Sequence, residues 1–236
     1  MSVEKSQGGS RIYRHDNSAP AELAEGDQGL IDAVSGHIQT HFGEPERVLH
    51  EIISTYVHID LHVVMPTSER PVITVVTSGM SERPMAGGVY AELMLILPPT
   101  WPTEGDPEFE TDEGYWPYRL LKTLARLPHE FQTRLWLGDT VPNGDPPQPY
   151  ARNTKLCGAL IAPMVMEQHE EAKVFEYGGR EINLFSVWPL HADEMQMKLD
   201  QGLDRLHDLL DETRIIEIVD ADRPSVVPRR RFRFRR

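Results

Sequence analysis

Val72-Ile73-Thr74-Val75-Val76-Thr77 is almost unbroken in β-branched side chains. Such side chains fit a pleated strand better than a helix, where they crowd the preceding turn. A strand with one wet face would alternate apolar and polar residues; this one does not, which predicts a strand covered on both faces. Further strands are expected around it. Val48–Ile53 and Tyr56–Met65 precede it, and Val89–Leu97 follows, closed by Pro98-Pro99. Pro66 and the stretch Gly79–Gly88 supply the intervening turns.

Helical spacing appears farther out. Leu30, Ile31, Val34, Ile38 and Phe42 recur every three to four residues, and Gly43 with Pro45 supplies a stop. Leu120, Leu121, Leu124 and Leu127, with Trp116, predict a second helix over Pro117–Leu127, with Pro117 in its first turn and Pro128 ending it. The proline-rich stretch Asp139–Pro149 fits neither period and reads as a loop. Strands return at Leu156–Ala162, Ala172–Tyr177 and Glu181–Trp188, the last two as a hairpin around Gly178-Gly179. One long helix is expected from Ala192 to Asp211, with Met195, Leu199, Leu203, Leu206 and Leu210 as its buried stripe, then an edge strand at Ile215–Val219. Helices interspersed with runs of strands, without βαβ alternation, predict an α+β fold: one domain with a central mixed, largely antiparallel sheet flanked by helices. Residues 1–25 read as a flexible leader, 26–220 as the domain and 221–236 as a disordered Arg-rich tail.

The 236 residues include 39% hydrophobic side chains, enough for a core, and no apolar run approaches the roughly 18 needed to span a membrane. Met1–Ser10 lacks the apolar centre of a secretory signal, so a cytoplasmic location is expected. The single cysteine, Cys157, excludes an internal disulfide and a multi-cysteine metal site, and its apolar surroundings suit a buried thiol. The formal charge is −13. Without the six arginines among the last eight residues, 18 basic face 37 acidic side chains, or −19. An acidic body repels nucleic-acid phosphates and suits a basic partner. Only the tail, Arg229-Arg230-Arg231-Phe232-Arg233-Phe234-Arg235-Arg236, has the charge and aromatics to touch nucleic acid.

His58-Ile59-Asp60-Leu61-His62 is the sharpest candidate for chemistry. On a strand, positions 58, 60 and 62 share a face, and two imidazoles with a carboxylate could hold a divalent metal. Neighbours on one face stand about 7 Å apart, so three in a row converge poorly, and a hydrogen-bonded polar strand face is the plainer reading. The remaining histidines match no zinc pattern, and neither a phosphate-binding glycine loop nor a serine elbow occurs. Glu104, Asp106, Glu108, Glu110, Asp112 and Glu113 form an acidic connector suited at most to a basic partner. No residue is assigned a catalytic role, and no metal or cofactor is expected. Of Trp101, Trp116, Trp136 and Trp188, at least three are expected in the core; Trp136, beside the 139–149 loop, is placed to anchor a partner.

Taken in order, Val57-His58-Ile59-Asp60-Leu61, Thr77-Ser78-Gly79-Met80-Ser81 with Met85, Tyr90-Ala91-Glu92-Leu93-Met94 and Leu97-Pro98-Pro99-Thr100-Trp101-Pro102 resemble the bacterial Suppressor of fused-like domain. The likeness continues through Trp116-Pro117, Leu120–Arg126, Leu137-Gly138-Asp139-Thr140, Leu184–Leu190, Glu194 and Gly202–Leu210, covering about residues 30–220. It implies a mixed α+β domain that works by binding a partner protein or peptide, without catalysis. Bacterial members resemble immunity proteins that neutralise toxins, and animal members restrain a transcription factor. A Gly-Asp step implicated in partner contact falls on Gly138-Asp139. Two further contact positions fall near Leu127 and Pro163, where this sequence departs from the family's tyrosine and acidic residue. The expected partner-binding residues are therefore Trp136, Gly138 and Asp139. The alternative is a metal-dependent enzyme using His58, Asp60 and His62.

Overall fold

Every residue of Ile73–Ser78 is buried, as the unbroken β-branched run requires. The computed structural model describes residues 2–15, 18–167, 169–213 and 217–228. The chain opens with β1 (Ser2–Lys5), β2 (Arg11–Arg14) and β3 (Leu23–Ala24), then α1 (Gln28–His41). There follow β4 (Arg47–Leu49), β5 (Ser54–Thr55), β6 (Asp60–Val64), β7 (Ile73–Ser78) and β8 (Tyr90–Leu97). After α2 (Asp112–Glu130) come β9 (Thr140–Pro142), β10 (Gly158–Ala162), β11 (Val174–Tyr177) and β12 (Arg180–Leu190), then α3 (Ala192–Gln201) and α4 (Leu203–Glu212).

Eight strands form the central sheet, in the order β4-β6-β7-β8-β12-β10-β9, with β11 also paired to β12. Among the strand pairs of the described residues, only β12–β8 is parallel, in register Ile182↔Tyr90 through Ser186↔Met94. The fold is thus α+β with a mixed, mostly antiparallel sheet. Alternate side chains leave a strand on opposite faces, and both faces are covered. On one, Leu61, Val63, Val75, Leu93 and Leu95 pack with Trp116, Leu121 and Leu124 of α2. On the other, Val64, Val76, Met94 and Ile96 meet Leu30, Val34 and Ile38 of α1. Leu160, Ala162 and Leu190 pack with Met195 of α3 and with Leu206 and Leu210 of α4. Among the described residues, no helix is long and apolar enough to cross a membrane.

Several expectations are corrected. The second helix starts at Asp112, not Pro117, because Thr111 caps it by accepting from Gly114 N. Pro117 then lies inside the helix, lacking the N–H that would bond the Glu113 carbonyl; the Asn153 amide donates to that carbonyl instead, at 3.3 Å. The last helix is two helices, broken at Gly202 with φ +94°. Gly8 N donates to Leu199 O at this break, and a Cβ on Gly8 would lie 2.4 Å from Gly202 N. The stretch read as a leader therefore carries a paired hairpin, β1–β2, whose turn docks on α3.

The segment from Ala221 to Pro228 is packed rather than loose: Arg223 and Val226 are 7% and 6% exposed. Part of the 139–149 loop is the edge strand β9. Of the strand expected at 215–219, Ile218 makes a single parallel bridge to Ile96, while Ile215 and Ile216 lie outside the described residues, as does the Arg229–Arg236 tail. Cys157 is buried, as its apolar neighbours imply.

Candidate partner-binding site

Trp136, Gly138 and Asp139 come together in one turn after α2. Asp139 N donates to Trp136 O at 2.9 Å, and Asp139 Oδ2 accepts from Trp136 N at 2.8 Å. The turn is pinned to β10, since Gly138 N donates to Ile161 O and Ile161 N donates to Asp139 O. Gly138 has φ +85°, and a Cβ there would sit 2.6 Å from Cδ2 of Leu203. The backbone conformation favours glycine here, and the Leu203 methyl, at the end of a flexible side chain, adds a lesser crowding.

The half-buried Trp136 ring packs edge-on against Phe185, with centroids 5.1 Å apart. The Asp139 side chain is half-buried, and one of its oxygens closes its own turn. Burial pushes its carboxyl up, against the opposing pull of the Trp136 N–H, Lys198 and Arg134. Burial pushes Lys198 down while Asp139 supports its charge. Leu137, at the tip, is 43% exposed and faces solvent. The turn runs directly into β9, which pairs with β10 through Gly158↔Pro142 to Leu160↔Thr140. Among the described residues no strand pairs with its other side. An apolar tip, a half-buried tryptophan and an open strand edge adjoin one another here.

His58, Asp60 and His62 do not form one ligand set. β6 begins at Asp60, and His58 lies before it. The fully buried Asp60 accepts from Glu51 N and from Nε2 of His58 through Oδ1, while Oδ2 is 2.9 Å from Nδ1 of His50. His62 lies apart from them, its Nε2 2.9 Å from the Ser78 hydroxyl. No group of three potential metal ligands occurs among the described residues.

The sequence reading missed Glu51. Its carboxylate accepts from Ser54 Oγ, Ile59 N and Arg126, with Lys122 Nζ at 3.7 Å. Burial acts to raise its pKa, but the hydrogen bonds from Arg126 and Ser54 outweigh burial and hold it below the usual range. Ser54, His58 and Asp60 stand in relay order, at 2.9 and 3.0 Å. Ser54, however, is 3% exposed and donates to Glu51 at 2.7 Å. A nucleophilic serine needs access to a carbonyl and donors where negative charge develops; here a carboxylate occupies that side. The cluster braces β6 against α2.

Glu92, fully buried on β8, accepts from Thr77 Oγ1, Gly79 N, Ser81 N and Ser81 Oγ. Burial pushes its pKa up to about 6 against those four donors. Burial lowers His62 from 6.5 to about 4, and its Nδ1 has no partner among the described residues. The two act oppositely on stability. With its pKa depressed on folding, His62 binds protons more weakly in the fold, so stability falls as the pH drops from 6.5 towards 4, by about 3 kcal/mol. With its pKa raised, Glu92 stabilises the fold below pH 4.5, and that contribution is lost as the pH rises through 6. His62→Gln should therefore remove an acid penalty of about 2–3 kcal/mol between pH 7.5 and 4.5. Urea midpoints of variant and parent at both pH values check this; equal pH dependence would refute it.

Residues 55–224 match the sequence pattern of the family described as Suppressor of fused protein. A search among curated proteins returned no match. Among solved structures, the chain is similar to a Suppressor of fused homologue from Neisseria gonorrhoeae, at 18% identity and a TM-score of 0.64 over 85% of this chain and 98% of that one. A Sufu–Fu complex matches at 15% identity and a TM-score of 0.58, covering 84% of this chain and 92% of that one. Drosophila Suppressor of Fused matches at 15% and 0.54, over 91% of this chain and 54% of that one.

Proposed function

Because the chain belongs to the Suppressor of fused protein family, we propose that it acts by gripping a partner protein, in the cytoplasm and without catalysis. The observation that carries this reading is the open edge of β9 beside the Trp136–Asp139 turn. An extended peptide laid along that edge gains backbone hydrogen bonds, and side-chain contacts at Trp136 and Leu137 supply selectivity. That a similar structure is a Sufu–Fu complex supports a binding role. The acidic body suits a basic partner, and a toxin neutralised by this chain, or a regulated protein, fits that chemistry.

The test is co-purification with the product of a neighbouring toxin-like gene. Asp139→Arg opens the turn by removing the acceptor of Trp136 N and sets a cation against Lys198. Partner affinity should fall at least about tenfold, as expected for a residue central to an interface, while the far-ultraviolet circular dichroism stays unchanged. Unaltered affinity in a folded variant would remove this surface from the binding site.

A further inference from the structure

Arg229–Arg236 takes no part in the function proposed above, yet its pattern is specific. Arg231-Phe232-Arg233-Phe234-Arg235 alternates strictly, with the two-residue period of a strand. Extended, it carries both rings on one face and the arginines on the other. The rest of the chain is strongly acidic, so a contact within the molecule is favoured by charge.

The place where the described chain ends sets what this segment can reach. Ser225 Oγ donates to Asp193 Oδ1 at 2.8 Å and Val226 N to Glu194 Oε1 at 3.0 Å, which brings the chain to the first turn of α3 just before Pro228. Val227 packs with Cys157 and with Leu160 of β10. One turn further along α3, Lys198 donates to Thr140 Oγ1 of β9 at 3.4 Å. Met195 of α3 lies against Gly158, which pairs with Pro142 of β9. The root of the segment and β9 therefore flank the same helix. One helical turn is about 5 Å, whereas eight extended residues span up to about 26 Å. Among the described residues no strand pairs with the outer side of β9. Half-buried Trp136 and exposed Leu137 adjoin that edge, and Asp145, just beyond β9, is exposed, as are Asp200 on α3 and Asp204 on α4.

We propose that Arg231–Arg235 docks as an added strand along the open edge of β9, where it occupies the partner-binding surface until a partner displaces it. The occupant is the chain's own basic segment, and the assignment rests on the reading of the β9 edge as the binding surface. Backbone pairing covers an exposed strand edge. Phe232 and Phe234 meet the apolar surface at Trp136 and Leu137, while the arginines face the acidic side chains. β9 offers only three residues, so the hold is light and comes mainly from the tether, which keeps the segment at a millimolar effective concentration.

The test uses the full chain, a chain ending at Pro228 and a fluorescently labelled peptide of residues 229–236, read by anisotropy at low salt. The shortened chain should bind the peptide at least tenfold tighter than the full chain, whose own segment competes. In the shortened chain Leu137→Arg, at an exposed position, should abolish this gain. Glu104→Lys should preserve it, since the neighbouring Gly105 faces Arg47 of β4, at the opposite edge of the sheet. A peptide of the same composition with its two phenylalanines adjacent should bind at least tenfold more weakly. Equal binding by the two chains, no effect of Leu137→Arg, or indifference to the order of the phenylalanines would overturn the docking and leave the partner reading standing. Unaltered partner affinity in Asp139→Arg would overturn that reading without changing the peptide result.

Discussion

Gly79→Ala should cost at least about 4 kcal/mol and leave little folded protein at physiological temperature. A Cβ at this position would lie 1.7 Å from the carbonyl oxygen of His58, which is backbone and cannot swing aside. The residue also has φ +111°, a conformation that alone penalises any side chain. Retreat is blocked, because Gly79 N donates to Glu92 Oε1, and moving the turn would strip a donor from a fully buried carboxylate. Gly87→Ala is the control. Gly87 has φ +90° but nothing within 4 Å of its would-be Cβ, so only the conformational cost of about 1 kcal/mol remains. Urea unfolding, or soluble yield where Gly79→Ala does not survive purification, distinguishes them; equal losses would mean that the contact with His58 carries no weight.

Arg223→Ala should destabilise the fold by about 3–5 kcal/mol. Glu194 is fully buried, and both its oxygens bond the Arg223 guanidinium, at 2.6 and 2.7 Å. Arg223 donates in addition to Pro189 O, at the end of β12. Burial acts to raise the Glu194 pKa, but the arginine outweighs burial and holds it below the usual carboxylate range. Without the arginine, an uncompensated charge is left in the interior. Glu194→Gln combined with Arg223→Met should recover much of the loss, since the net worth of a buried pair is small compared with the cost of breaking it. Chemical denaturation of the two single variants and the double variant measures the coupling; additive losses would show that the two side chains act independently.

Both predictions concern residues whose importance was only half legible. Gly79 and Glu92 stood in the ordered series of motifs, yet nothing in the chain places His58 O under Gly79 or turns Thr77, Gly79 and Ser81 towards Glu92. Arg223 stood in a segment whose proline and arginine content predicts disorder, and 29 residues separate it from Glu194. Glu51 and Arg126, 75 residues apart, were likewise invisible as a pair. Asp139 was an expected contact residue from its place in the series, but nothing in the sequence announced the hydrogen bond that its side chain accepts from Trp136 N.

The sequence by itself determined the central strands β6, β7, β8, β10 and β12 and the positions of α1 and α2, because β-branching and a three-to-four-residue apolar spacing act over a single turn or pleat; the β1–β2 hairpin and β9 carried no such pattern. It also determined the family, through the order and spacing of its motifs. Only the tertiary structure decided where α2 begins, that Gly202 divides the last helix, how the eight strands are ordered, and which charges are satisfied. Those outcomes depend on Asn153 reaching Glu113 O, on Gly8 docking beside Gly202, and on buried carboxylates finding donors far along the chain. A desolvated charge must be paired wherever its partner lies in sequence, and local pattern carries no record of that distance.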